Sequence, residues 1–254
     1  MSITEFSPPP RLALIAPFQR GTSGSAAFLG LASDGQQYWV KPPDNPQGSR
    51  TLVAEAIAYG IGRLIGAPVP TNALIEIPAT FSWEYVAGRR LRGGIGHGSL
   101  NVEDVVVADE WDIYSRLDDN RRRQAYILAL WDLCMGGDPQ WLHRTTDDYS
   151  IWSFDHGFWL AGESAWTIDS LKRIGTTPWQ FDLDPSVASA TGLRDAAERI
   201  DALGLSAIQA VARDIPLEWQ TTPQELSELA SVLFLRTEGV AERLRAAADQ
   251  SRFS

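Results

Sequence analysis

DGQQYWVKPP (34–43) and LVAEAIAYGIGRLIGAPVP (52–70) are the two stretches that decide how this chain folds. In the first, the turn pair Asp34-Gly35 opens a short apolar run, 36–41, that two prolines stop, which predicts a strand ending on a lysine. In the second, Leu52, Val53, Ala56, Ile57, Ile61, Leu64 and Ile65 recur at helical spacing, and Gly66 and Pro68 end a predicted helix over 50–66. Lys41 is one of only two lysines in a chain that otherwise carries its positive charge on twenty arginines. An ammonium group is a compact point charge suited to polyphosphate, and it needs an acidic partner to hold its flexible stem. Glu55, between two alanines on the following helix, is the candidate partner. The plain alternative is a snorkelling strand-end lysine and an exposed helical glutamate.

Upstream, RLALIAPFQR (11–20) and SAAFLGLA (25–32) are short apolar segments that read as strands, separated by the turn chemistry of GTSG. The turn RGTSGSAA (20–27) offers backbone N–H groups at Gly21 and Gly24 and hydroxyls at Thr22, Ser23 and Ser25 that could cover phosphates. It lacks the lysine of a P-loop and is not a complete G-x-G-x-x-G, so an ordinary hairpin turn is the alternative. Downstream, 72–78 and 81–88 are further strand candidates. GRRLRGGIGHGSL (88–100) carries five glycines and reads as a mobile connection, with His97 in a substrate-facing loop or as a solvated loop residue. Beyond it the chain reads as mostly helical, with one helix over 120–137 and one long or two consecutive helices over 222–250. The expected outline is α+β: a small β-rich N-terminal lobe (1–87) with one helix, a glycine-rich hinge (88–100), and a larger helical lobe (101–254).

A third stretch, DLCMGGDPQWLHRTTDDYSIWSFDHGFW (132–159), concentrates acids after the long helix. Asp155 follows the apolar IWSF, at the end of a strand from a hairpin expected over 149–162, where a carboxylate can face a cleft and hold Mg²⁺. Asp138 lies in the turn GGDP and could accept a proton from a substrate hydroxyl. The alternative for both is capping of a turn or loop. Asp147 and Asp148, in TTDDY, could supply further oxygens or be solvated. Trp39, Trp152 and Trp159 could wall a purine pocket or belong to the core.

Composition bounds these readings. With 254 residues, 44% of them hydrophobic, the chain can bury a full core. A formal charge of −10 argues against a nucleic-acid partner, although GRRLR (88–92) and RRR (121–123) could form local basic patches or be solvated. The start MSITEFSPPP has no basic, apolar signal pattern and no run of about eighteen apolar residues occurs, so a cytoplasmic location and no membrane partner are expected. Cys134, the single cysteine, reads as a buried thiol.

Taken in order, glycine turn, V-K, helix glutamate, long helix, loop and D-H-G resemble the HipA-like kinases along nearly the whole chain. The resemblance implies the two-lobed protein-kinase and lipid-kinase fold, with ATP between the lobes, Lys41 on its α and β phosphates, Glu55 orienting Lys41, and Asp155 holding Mg²⁺. It implies transfer of the γ-phosphate to a serine or threonine hydroxyl of a protein. The chain departs from the family in the loop, where N-x-D-R and a following asparagine are replaced by GGDPQWLH (136–143). With Asp138 as the base, His143 falls at the asparagine position as a metal ligand, although Mg²⁺ prefers oxygen. An ungapped count from the helix sets Pro139 at the base instead. Two further expectations follow: a pseudokinase that binds nucleotide or a protein partner as a regulatory module, and a kinase for a small hydroxyl-bearing molecule or lipid.

Overall fold

The short apolar runs near the start form an antiparallel series in the computed structural model, which describes residues 6–22, 24–179 and 182–250. β1 (Arg11–Arg20), β2 (Phe28–Ala32) and β3 (Gln37–Lys41) pair in turn. Asp34 sets the β2–β3 turn by accepting from the Gln36 N–H at 3.0 Å. α1 (Arg50–Ile65) stops where Gly66, at φ 83°, returns its N–H to the Gly62 carbonyl, a conformation that costs glycine little. All but two residues of α1 are buried, because Ala54, Ala58, Gly60 and Gly62 fill the positions between the larger side chains.

β4 (Asn72–Ile77) follows, then a small hairpin of β5 (Glu84–Val86) and β6 (Arg89–Arg90), then β7 (Gly94–Leu100). The expected mobile connection over 88–100 is therefore corrected. β7 lies between β3 and β4 in a closed barrel of order β1-β2-β3-β7-β4, completed by parallel pairing of β1 with β4. Its glycines serve close approach rather than mobility. A Cβ at Gly98 would lie 2.5 Å from Ile75 Cγ1, and one at Gly96 would lie 2.8 Å from the Lys41 carbonyl oxygen. The chain leaves the barrel only after Leu100.

β8 (Val105–Ala108), β9 (Trp141–Arg144) and β10 (Ser150–Ser153) form a second sheet in the order β10-β9-β8. The hairpin expected over 149–162 is displaced as well. β10 pairs with the upstream β9, and a 3-10 turn, His156–Phe158, takes the place of a returning strand. α2 (Asn120–Cys134) packs against β10, and α6 (Pro223–Gln250), one continuous helix, packs against α2 and gathers α3 (Ile168–Ile174), α4 (Ala190–Asp201) and α5 (Leu205–Arg213). Among the described residues, no helix is long and apolar enough to cross a membrane.

Among the described residues, two apolar clusters fill the interior. One lies inside the barrel, and the other joins α1 to α2, α4, α5 and α6. α1 thus belongs, by packing, with helices far downstream. Arg50 at its start reinforces this, with its guanidinium over the Trp166 ring at 4.2 Å, a bond to the Trp166 carbonyl and an ion pair with Glu225.

Candidate active site

Three segments meet at the open end of the barrel. Lys41 ends β3, Glu55 projects from the middle of α1, and Asp155 follows β10. Lys41 Nζ donates to Glu55 Oε1 and to Asp155 Oδ1. Lys41 is 7% and Glu55 1% exposed, whereas the side chain of Asp155 is 23% exposed, so Asp155 is the carboxylate that can take a ligand from solvent.

D-H-G has a physical reason at each position. Asp155 adopts φ 55°, ψ 59°, a left-handed conformation that aspartate tolerates better than most residues and that turns its carboxylate back to Lys41. The His156 N–H donates to Glu55 Oε2 at 3.1 Å, so both oxygens of Glu55 are engaged. At Gly157 an added Cβ would stand 3.3 Å from Lys41 Nζ and 3.5 Å from Glu55 Oε1, so a larger residue would crowd the ion pair. The His156 ring is fully buried, edge-on to Tyr59 and Trp159.

The electrostatics follow from burial and pairing. Burial works against the charge on Lys41, but Glu55 and Asp155 outweigh it and raise its pKa above the ordinary lysine value. Burial likewise opposes ionisation of Glu55, and the Lys41 ammonium overcomes it and holds the carboxyl below the usual range. One ammonium and two carboxylates leave one formal negative charge, which suits a cation beside Asp155.

These groups close one end of a cleft of about 470 Å³, within the size range of small-molecule sites. Ala27, Trp39 and Leu100 from the barrel and Val105, Val107 and Leu142 from the second sheet give it apolar walls, and Asn101 and Val102 bridge the two. Trp39 Nε1 donates to Asn101 Oδ1 at 3.0 Å, which fixes the indole as a flat wall. Trp152 lies outside this cleft, and Trp159 is in the larger core.

The glycine turn contributes unevenly. Gly21 and Thr22 line the cleft, while the Gly21 N–H is already donated to the Ala27 carbonyl at 2.7 Å. Gly24 sits against Gln47, whose Nε2 would be 2.9 Å from an added Cβ. Ser25 is buried rather than presented to the cleft. Ser23 lies outside the described residues.

The loop after α2 is less complete. Asp138, at φ 54°, is exposed and off the cleft wall, and its Oδ2 accepts from Gln140 Nε2 at 2.9 Å. Gln140 does line the cleft. The alternation of β9 sends Leu142 into the cleft and His143 to the opposite face. There the His143 ring is buried against Tyr114, with Nδ1 3.3 Å from the Tyr149 carbonyl oxygen. His143 is thus not brought to Asp155, which corrects its expected place as a metal ligand. Asp147 accepts from Ser150 Oγ within its own turn, and Asp148 accepts from the Asp118 N–H of the segment before α2, so both are engaged away from the cleft. Among the described residues no cluster of three or more acids, histidines or cysteines could hold a metal by itself. Asp155 still fits Mg²⁺, which is commonly held by one or two carboxylates together with substrate phosphates.

Sequence reasoning missed two cleft residues. His97, expected in a solvated loop, is buried on β7 opposite Lys41, with its ring beside Tyr59 and its Nε2 without a partner. Burial pushes its pKa down to about 4, with Glu55 opposing and Lys41 reinforcing the shift, so the ring is neutral at pH 7. Gln140 gave no signal beyond its place in the departing loop. The alternation of Ile95, His97 and Ser99 between glycines could have revealed the strand and the inward histidine.

No protein-family model matches this sequence, and no curated protein does. Among solved structures, the chain is similar to the Helicobacter pylori proinflammatory kinase CtkA, with a TM-score of 0.61 at 12% identity. The match covers 96% of this chain and 98% of that one. At that identity the likeness is one of fold, and the chain has a kinase-like fold of mixed α and β structure.

Proposed function

We propose that the chain is a Mg·ATP-dependent kinase of the HipA-like kind, with the barrel as its N-terminal lobe, and that it phosphorylates a serine or threonine hydroxyl of a protein. The observation that carries this reading is the buried Lys41–Glu55 pair joined to Asp155 at the polar end of a flat-walled cleft. In this reading the base lies between Trp39 and Leu142, and Lys41 meets the α and β phosphates. Glu55 keeps the ammonium extended, and Asp155 would hold Mg²⁺ against the phosphates. Bound Mg²⁺ would supply neutralisation of charge on the phosphate oxygens. Asp138 accepts the proton of the acceptor hydroxyl while its oxygen bonds to the γ-phosphorus and the bond to the ADP oxygen breaks. Gln140 positions Asp138 through the hydrogen bond at 2.9 Å.

A second reading, a pseudokinase that binds nucleotide or a protein partner as a regulatory module, is favoured by the exposed Asp138 and by His143, which is buried on the face of β9 away from the cleft. Fold alone does not choose between a protein and a small-molecule acceptor. Titration calorimetry with Mg·ATP tests the binding claim, and absence of heat with both Mg²⁺ and Mn²⁺ would end it. Transfer from labelled ATP that disappears in Asp138→Asn excludes the pseudokinase, and a screen of hydroxyl-bearing metabolites for ATP consumption separates the acceptor classes.

A further inference from the structure

The β5–β6 hairpin and the residues after it carry Arg89, Arg90 and Arg92 on a rigid frame. Tyr85 and Leu91 are buried in the barrel's cluster, and the Leu91 N–H donates to the Trp83 carbonyl at 2.9 Å. With Leu91 turned inward, Arg90 and Arg92 are left outward on either side of it. Arg89 Nη1 donates to the Asp44 carbonyl at 3.2 Å and Arg90 Nη1 to the Ser82 carbonyl at 2.7 Å. These bonds hold the guanidinium groups in place without neutralising them, and among the described residues none of the three arginines has a carboxylate within ion-pair distance. Arg20, by contrast, is paired with Glu84.

The hairpin stands at the phosphate end of the cleft. Tyr85 Oη and Arg89 both reach Asp44, three residues after Lys41 and so within about 10 Å of it along the chain. On its other side Trp83 lies under the guanidinium of Arg20, which directly precedes Gly21. The three arginines do not line the cleft itself, so they face what approaches it from outside.

We propose that Arg89, Arg90 and Arg92 form a docking edge for an acidic polypeptide segment next to the hydroxyl that receives the phosphate. This names the acceptor class of the kinase reading and rests on it. Arg89 and Arg90, held by backbone carbonyls rather than by carboxylates, suit an incoming carboxylate with little side-chain order lost on binding, and Arg92 adds a third exposed guanidinium beside them. The −10 charge of the chain works against extended nucleic acid, whereas a local patch tolerates a short acidic segment.

The test uses the full chain, its R89A/R90A/R92A variant, and a fluorescein-labelled peptide of alternating glutamate and serine followed by anisotropy. Binding is expected to weaken about tenfold in the variant and to fall with added salt, as exposed ion pairs do. A lysine–serine peptide is expected not to bind, and Mg·ATP affinity is expected to be equal in both proteins. Equal peptide binding by the two proteins overturns the proposal. So does tighter arginine-dependent binding of duplex DNA, or self-association in sedimentation that the variant loses while peptide binding stays. Loss of Mg·ATP binding in both proteins would instead overturn the nucleotide reading, and the peptide comparison would still decide the docking edge.

Discussion

The polar end of the cleft and the loop after α2 are two halves of the candidate site, and they are built in opposite ways. Lys41, Glu55 and Asp155 come from a barrel strand, a buried helix and a strand end, and each is held by at least one other. Asp138 sits in an exposed loop and is tied to the cleft by a single side-chain bond from Gln140. The first half is over-determined, because moving one member strands a buried charge on another. The second is under-determined, because rotating one glutamine side chain frees its acid. In the proposed kinase, nucleotide binding would thereby be anchored in the core, and the transfer step would be left to a surface loop.

The sharpest way to break this comparison is Lys41→Ala. It leaves Glu55 buried without its counter-charge, and loss of one partner of a buried pair costs about 3–5 kcal/mol. Mg·ATP heats should vanish in calorimetry, and the thermal midpoint should fall. Asp138→Asn should do the reverse, leaving Mg·ATP affinity and unfolding unchanged while labelled-phosphate transfer falls roughly 10²–10⁴-fold. If Asp138→Asn also abolished nucleotide binding, the division between the halves would fail.

His97 gives the buried half a pH dependence. The unfolded chain takes up this proton below about pH 6.5 and the folded chain only below about 4, so the unfolded state binds more protons between them. Stability should therefore decline as pH falls from about 6.5 to 4, by up to ~3 kcal/mol from His97, and the decline should continue at lower pH because the Lys41 ammonium holds the Glu55 carboxyl below its usual range. Urea unfolding across that range checks this, and His97→Gln should flatten the slope. The smallest expected effect is at Gly157→Ala, where the new methyl meets Lys41 Nζ at 3.3 Å. Overpacking of this kind costs about 1–3 kcal/mol, and Mg·ATP affinity should drop while the Lys41→Ala phenotype is not reached.

The legible parts of the sequence were those whose cause is local. β1, β3, β4, α1 and α2 announced themselves through alternation, helical spacing and stop residues, and Lys41 through its rarity among arginines. β7 was hidden because its glycines are demanded by Ile75 and by the Lys41 carbonyl, partners far away in sequence. For the same reason His97 read as loop. β8 gave no separate outline because it takes its place from pairing with β9, and α3, α4 and α5 gave none because they take theirs from packing on α6. His143 was misplaced because spacing counts residues but not faces, and a strand turns each neighbour the other way.

The closure of the barrel by β7, together with the packing of α1, has a consequence for synthesis and for truncation. β3 and β4 lack their shared neighbour until residue 100 has been made, so β-pairing at the lysine strand cannot finish early on the ribosome. Glu55 is placed still later, because the cluster that buries α1 draws on side chains up to Ala248. A fragment ending near residue 110 should form strands without setting its lysine, and the joined Lys41–Glu55–Asp155 site should arrive only when the final helix docks.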